Sequence, residues 1–273
     1  MVFFKRALML VRGGGDLASG AISRLYRAGF PVAVTELAHP LLVRRTVSFG
    51  EAVYGGTIEI EGLAACRAGS LADVPRLLAA DVIPVLVDPE GASLAALKPL
   101  VLVDARMAKI NLGTQMMDAP LVVALGPGFT AGVDCHAVIE TNRGHNLGRV
   151  IWTGPAEADT GEPGMMQGHS HSRVLRAPVA GYVVAQRAIG DPVEAGQVVA
   201  SVNQIEIVAP FTGIVRGLIH EQVRVEAGTK IGDLDPRARR ENCFTISDKS
   251  LAVGGRSVGS DIVRAAGTIL SNE

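Results

Sequence analysis

Apolar and polar positions along this chain fall into two periods. Ala7–Arg12 (ALMLVR) is a short apolar run that stops at Gly13, Gly14 and Gly15, the pattern of a buried strand. From Leu17 the apolar residues Ala21, Ile22 and Leu25 recur at helical spacing, and Gly29 follows as a helix stop. "PVAVTEL" then reads as a second strand ending at Glu36, which makes a strand–helix–strand unit of about thirty residues. "TVSF", "TIEIEG", "VIPVLVD", "LVLVDA", "LVVALG", "HAVIET" and "RVIW" read as further strands, with short helices over Ser70–Ala80 and Ser93–Pro99. Near-continuous runs such as "LVLVDA" fit strands covered on both faces.

From Gly154 to Ser172 the pattern gives way to Gly, Pro and polar residues, a loop or linker. An internal repeat follows. "RAPVAGYV" from Arg176 recurs as "VAPFTGIV" from Val208, and "PVEAGQVVA" from Pro192 recurs as "RVEAGTKIG" from Arg224, both 32 residues on (176 to 208, 192 to 224). Such fixed-period self-similarity reports a repeated structural unit. Its short strands between Gly/Pro turns resemble the barrel-sandwich hybrid of biotinyl and lipoyl domains. The join "SVNQIEI" has no lysine, so the sequence excludes attachment of biotin or lipoate there and leaves a spacer, docking face or oligomer contact. A helical pattern in Ile262, Val263, Ala266, Ile269 and Leu270 predicts a last helix that returns to the first domain. The expected fold is therefore α/β. A Rossmann-like, mostly parallel sheet spans 1–172, an inserted all-β biotinyl/lipoyl-like barrel-sandwich domain spans 173–236, and 237–273 packs back on the α/β domain.

Composition narrows the function classes. A formal net charge of -1 and no basic stripe with interleaved aromatics argue against nucleic acid as a partner. No stretch approaches the roughly 18 apolar residues of a membrane helix, and "MVFFKRALMLV" lacks a signal peptide's layout, so a cytoplasmic protein is expected. Cys66, Cys135 and Cys243 are far apart and give neither a disulfide framework nor a zinc knuckle.

Three places carry candidate chemistry. Gly13, Gly15 and Ala18 satisfy G-x-G-x-x-[GA] between a strand and a helix, with Glu36 at the end of the next strand. Gly13, Gly14 and Gly15 would let a nucleotide or pterin phosphate approach the helix start, and Glu36 would accept ribose hydroxyls. Asp16 sits where a phosphate would, so a packing turn with Asp16 or Ser19 capping the helix is the rival reading. The second place is "GPGFTAGVDCHAVIETNRGHNLGR". Gly126 and Gly128 would wrap an anion, Phe129 would cover a planar ring, and Arg143 and His145 would contact phosphate or favour a Cys135 thiolate beside His136. A small buried apolar residue is the rival reading for Cys135. The third is "GHSHS", where His169 and His171 would share a strand face toward a metal, although no nearby acid or cysteine completes a ligand set.

Read together, "VRGGGDLASG", "VRRTVSFGEAVYGG", "AKINLG", "ALGPGFTAGVDCHAVIETNRGH", "RAPVAG", "KIGDLDPR" and "SDKSLAVGG" resemble, in this order, the YqeB-type accessory proteins of selenium-dependent molybdenum hydroxylases. The resemblance implies a maturation role for such an enzyme, with a molybdopterin-type cofactor or nucleotide as ligand. The implied partners are the hydroxylase apoprotein, a sulfur or selenium donor protein, and further copies of the chain in a homo-oligomer. In that reading Cys135, as thiolate, carries or orients a chalcogen. An NAD(P)-dependent oxidoreductase is the rival, and a non-catalytic scaffold the third reading.

Overall fold

A computed structural model describes residues 7–159, 161, 168 and 171–257. The chain divides into two compact units, one of residues 1–38, 49–159 and 246–273, the other of 39–48 and 160–245.

The first unit is built on strands β1 (Met9–Arg12), β2 (Val32–Glu36), β3 (Thr57–Ile60), β4 (Leu63–Ala68), β5 (Ile83–Val87), β6 (Val101–Asp104), β7 (Leu121–Leu125), β8 (Thr130–Ala131), β9 (Ala137–Ile139), β10 (Val150–Ile151) and β11 (Gly154–Pro155). Helices α1 (Asp16–Arg27), α2 (Ala52–Gly55), α3 (Asp73–Ala79), α4 (Ser93–Leu97) and α5 (Asp248–Ser257) accompany them. Among the described residues, nine strands form one sheet in the order β10-β9-β7-β6-β1-β2-β5-β4-β3, and β8 pairs with β11 apart from it. The strands from β4 across to β9 run parallel, while β3 and β10 pair antiparallel at the two edges. The β3–β4 hairpin turns through Glu61 and Gly62, both at positive φ, the tight turn that suits strand twist.

Strand periodicity decides which side chains meet which layer. Met9 and Val11 of β1 and Leu121, Val123 and Leu125 of β7 join Ile22 and Leu25 of α1 and Val253 of α5 in one apolar cluster. Their neighbours Leu10, Val122 and Ala124 join Val74 and Leu77 of α3 in another, so the central strands are apolar throughout. α5 lies against α1 at backbone distance. A Cβ on Gly20 would stand 2.0 Å from the Ser250 carbonyl oxygen, and one on Gly254 would stand 2.3 Å from the Gly20 carbonyl oxygen.

The second unit comprises β12 (Val174–Arg176), β13 (Gly181–Ala185), β14 (Pro192–Val193), β15 (Val198–Val202), β16 (Ile205–Val208), β17 (Gly213–Leu218), β18 (Arg224–Val225) and β19 (Lys230–Asp235). They make two antiparallel sheets, β12-β19-β17-β14 and β16-β15-β13-β18. The sequence repeat maps one onto the other: β13 starts 32 residues before β17 (181 to 213), β14 before β18 (192 to 224) and β15 before β19 (198 to 230). β15 and β16 are joined by Asn203-Gln204, both at positive φ.

These observations overturn the expected Rossmann-like domain with an inserted biotinyl-type domain. The sheet is mixed, with antiparallel strands at both edges and β5 lying between β2 and β4. The crossovers from β6 to β7 and from β7 to β9 carry a 3-10 turn and a two-residue strand in place of the α-helices of a doubly wound fold. The second unit is not one inserted stretch, because it takes up residues 39–48. There the Arg45 Nε donates to the Leu218 carbonyl at 2.8 Å and the Thr46 hydroxyl to the Cys243 carbonyl at 2.5 Å. "TVSF" is not a strand: Arg45–Val47 and Phe49–Glu51 are 3-10 turns. The helix expected over 262–270 lies outside the described residues.

Replacing Gly20 by Ala forces a methyl group into backbone that cannot yield, and overpacking of this kind costs about 3 kcal/mol. Urea denaturation should show that loss for Gly20→Ala, and none for Gly55→Ala, whose added Cβ meets nothing within 4 Å.

Candidate functional site

The glycine turn is closed by its own chain. Gly13 adopts φ +90 and donates its amide to the Thr35 carbonyl at 2.8 Å, and a Cβ there would meet Ala105 and Arg106 backbone atoms at 3.0 Å. Gly14 accepts the Gly50 amide at 2.9 Å, and its own added Cβ would stand 2.5 Å from the Gly50 nitrogen. Gly15 is the N-cap of α1 and accepts both the amide and the hydroxyl of Ser19, at 2.9 and 3.0 Å. The Ser250 hydroxyl donates to the Asp16 carboxylate at 2.9 Å and to the Asp16 carbonyl at 2.8 Å, and Ala18 is core. The approach expected of a pyrophosphate is thus made by polypeptide.

Glu36 is likewise used internally. Its Oε1 accepts the Gly14 amide at 2.7 Å and its Oε2 the Leu37 amide at 2.9 Å, the role expected for it toward a ribose. Burial pushes its carboxyl above the usual range, and the two amides only partly offset that.

The second expected site is dispersed. Gly126 and Gly128 are at positive φ, yet an added Cβ would meet Thr141 Oγ1 at 2.5 Å and the Ile110 nitrogen at 2.6 Å respectively, so they accommodate neighbouring chain. Phe129 is core and covers no open ring site. Cys135 is fully buried, and burial, helped by the charges of Asp134 and Asp104, pushes its thiol up to about 12. A thiol so placed stays protonated at neutral pH, which corrects the expected thiolate. His136 continues the β7 pairing: its amide donates to the Val122 carbonyl at 2.8 Å and its Nδ1 accepts the Val122 amide at 3.0 Å. Arg143 holds Asp248 through two bonds of 2.9 and 3.0 Å, and His145 is exposed. His171 lies in a 3-10 turn, and His169 lies outside the described residues. Among the described residues no cluster of three or more His, Cys, Asp or Glu is placed to hold a metal ion, and no helix is long and apolar enough to cross a membrane.

Among the described residues, Gly13 and Glu36 of those expected border a cleft of about 160 Å³ at the carboxyl ends of β1, β2 and β5 and beside the loop after β6. Arg12, Thr35 and Leu37 line it from the strand ends, Asp88–Gly91 from the loop after β5, and Arg106, Leu112 and Gly113 from the loop after β6. Asp88 is taken up by the start of α4, where it accepts the Ala92 and Ser93 amides at 2.9 and 2.8 Å and the Ser93 hydroxyl. Burial would raise its carboxyl, but these bonds outweigh it and hold the group below the usual range.

The two arginines of the wall meet on one buried hydroxyl, and each is also paired with an acid, Arg12 with Asp118 at 3.4 Å and Arg106 with Asp104. Thr114 Oγ1 accepts Arg12 Nη1 at 2.8 Å and Arg106 Nη2 at 3.0 Å, and donates to Asp104 Oδ2 at 2.6 Å. Asp104, itself 1% exposed, also receives the Arg106 Nε at 3.1 Å and Nη2 at 2.5 Å. Thr114 is fixed in turn by Asn111, whose Oδ1 accepts the Thr114 amide and whose Nδ2 donates to the Thr114 carbonyl, both at 2.8 Å. Two guanidinium groups therefore meet at one oxygen beside the cleft, with a carboxyl on its floor. Arg12, Arg106 and Thr114 escaped the sequence reading. The signal available was a charged residue directly after an apolar run, in "LMLVR" and "VLVDAR", which places it at a strand's carboxyl end.

Comparison with known proteins gives one close relative and distant structural neighbours. The chain is 50% identical over 248 residues, 91% of its length, to the uncharacterized protein YqeB of Escherichia coli K12. This identity supports a YqeB-family member, and the chain spans 46% of that relative's length. No protein-family model matches the chain. Among solved structures, an aspartoacylase family protein from Mesorhizobium loti is 12% identical, with 86% of this chain and 87% of that one covered, at a TM-score of 0.28. A succinylglutamate desuccinylase/aspartoacylase from Rhodobacter sphaeroides is 15% identical, with 84% and 85% covered, at 0.27.

The raised Glu36 carboxyl has a sign. Folding favours its protonated form, so stability from this group is present below the ordinary carboxylate range and is lost as pH rises through the raised value. Glu36→Gln removes that titration and leaves the Leu37 amide facing an amide donor, a loss of about 1–3 kcal/mol. The stability difference between wild type and Glu36→Gln, from urea midpoints, should shrink as pH rises above the ordinary carboxylate range; an increase with pH contradicts this account.

Proposed function

We propose that the cleft beside Arg12 and Arg106 binds a small phosphate-bearing molecule, a nucleotide or a molybdopterin-type compound, and that the chain is an accessory protein in the maturation of a selenium-dependent molybdenum hydroxylase. The observation that carries the binding reading is the pair of guanidinium groups held on Thr114 Oγ1. Fixed arginines suit oxyanions because their donors match phosphate geometry and little side-chain freedom remains to be lost on binding. Glu36 lines the same cleft, with its two oxygens already bonded to the Gly14 and Leu37 amides. The maturation reading rests on the resemblance of the motifs to the YqeB-type accessory proteins; the relative supports the family alone.

The cleft is smaller than the roughly 300–1,000 Å³ of sites for drug-sized ligands. It suits one phosphoryl group with part of what it carries, and a larger ligand would extend outside it. The sealed glycine turn weighs against the rival oxidoreductase reading, since a nicotinamide dinucleotide uses that turn for its pyrophosphate.

Calorimetric titration of the chain with cytidine monophosphate, molybdopterin cytosine dinucleotide and NADP(H) tests the proposal. The expected result is binding of a phosphate compound that weakens at least about tenfold, or about 1.4 kcal/mol, in Thr114→Val and in Arg12→Ala. Binding of NADP(H) unchanged by both substitutions would overturn it, as would no binding of any of the three.

A further inference from the structure

Two side chains of the cleft hold donors that the described residues leave unused. Arg12 commits one end of its guanidinium, Nη1, to Thr114 Oγ1 at 2.8 Å and to Asp118 at 3.4 Å. Among the described residues its Nε and Nη2 donate no hydrogen bond. These two nitrogens form the side-on edge of the guanidinium, which grips an oxyanion with two parallel bonds. Thr35 pairs with Arg12 across the parallel strands β2 and β1, so the two side chains rise from the same face of the sheet. Thr35 is 4% exposed and lines the cleft, and among the described residues its hydroxyl has no hydrogen-bond partner. Buried hydroxyls are nearly always bonded, so one left over beside a cleft marks a place for a polar atom of a ligand.

The loop after β5 leaves that edge uncovered. Gly91 adopts φ +73, and a Cβ added there would stand 2.6 Å from Arg12 Nη2. Any side chain at this position would crowd the free edge. Arg106 differs, since each of its nitrogens already donates, to Asp104, to Thr114 Oγ1 or to the Leu112 carbonyl. Arg106 adds charge, and Arg12 adds free donors. The acids of the lining do not take up those donors. Asp88 is bonded to the start of α4, and Glu36 accepts the Gly14 and Leu37 amides while burial works against its charge. Glu90 is exposed.

We propose that the cleft takes a phosphate monoester, whose terminal phosphoryl group is held by the Arg12 Nε–Nη2 edge and the Thr35 hydroxyl. The inference rests on the phosphate reading of the same cleft and narrows it. Nε, Nη2 and the hydroxyl are three donors. A terminal phosphoryl group presents three unesterified oxygens to them, whereas a diester phosphate presents two. The monoester is also mostly a dianion at pH 7.5, since its second ionisation lies near about pH 6, while a diester carries a single charge. Size points the same way. A cleft of about 160 Å³ suits one phosphoryl group with part of one substituent, and a diester brings a substituent on each side.

Calorimetric titration of the full chain at pH 7.5 compares cytidine 5′-monophosphate with cytidine 3′,5′-cyclic monophosphate, the same nucleoside as monoester and as diester. The monoester should bind at least about tenfold more tightly. Thr35→Val should lower its affinity at least about tenfold, the loss of one hydrogen bond to a charged group, and bring the two nucleotides closer together. Thr35→Ser keeps the hydroxyl and should bind within about threefold of wild type. The wild-type comparison decides the case even where Thr35→Val lowers stability, which urea midpoints report. Equal binding of the two nucleotides by wild type, or a folded Thr35→Val that keeps the wild-type preference, overturns the inference and leaves the cleft reading standing. Binding of molybdopterin cytosine dinucleotide with neither cytidine nucleotide bound does the same. If no phosphate compound binds, the reading on which the inference rests falls with it.

Discussion

Gly14 gives its amide to Glu36 and takes the amide of Gly50 on its carbonyl, and the remainder of the first unit is arranged around that contact. Three glycines in one short stretch let other backbone come within touching distance. Residues 105–106 reach Gly13, Gly50 reaches Gly14, and α5 reaches Gly20. A Cβ at any of them would meet backbone atoms, which cannot rotate away as a side chain can. The glycine content of the turn is therefore a packing requirement. It joins the first strand–helix connection to segments far along the chain, the last of them α5.

Closing the turn moves the open ground. The crevice that open α/β sheets leave at their carboxyl edge survives here beside Arg12 and Glu36. Its electrostatics follow from how charges are settled in pairs nearby. Asp104 is buried and supports Arg106, Thr114 connects Arg106 to Arg12, and Asp88 is spent on the start of α4. Both guanidinium groups border the cleft, with Glu36 as its buried acid.

Much of the first unit was legible because its signals are local. Apolar runs found β1, β2, β5, β6 and β7, and helical spacing with a glycine stop found α1 within a residue or two. What failed depends on distant partners. Val47 and Phe49 alternate with polar residues as a strand would, and both are buried, but they lie in two 3-10 turns. Gly126 and Gly128 announced unusual backbone without saying what approaches them. Cys135-His136 looked reactive by adjacency, yet Cys135 faces an apolar layer and His136 spends its ring on the Val122 amide. Thr114 has no periodic signal at all, and its partner Arg12 lies 102 residues away.

The central claim is that phosphate chemistry belongs to the Arg12–Arg106 cleft and not to the glycine turn. Nitrogen-15 NMR during titration with inorganic pyrophosphate reads both places at once. The account predicts that the side-chain Nε–H resonances of Arg12 and Arg106 move while the backbone amides of Gly14 to Ala18 stay in place. Movement confined to Gly14–Ala18, or arginine resonances that do not respond, would contradict it.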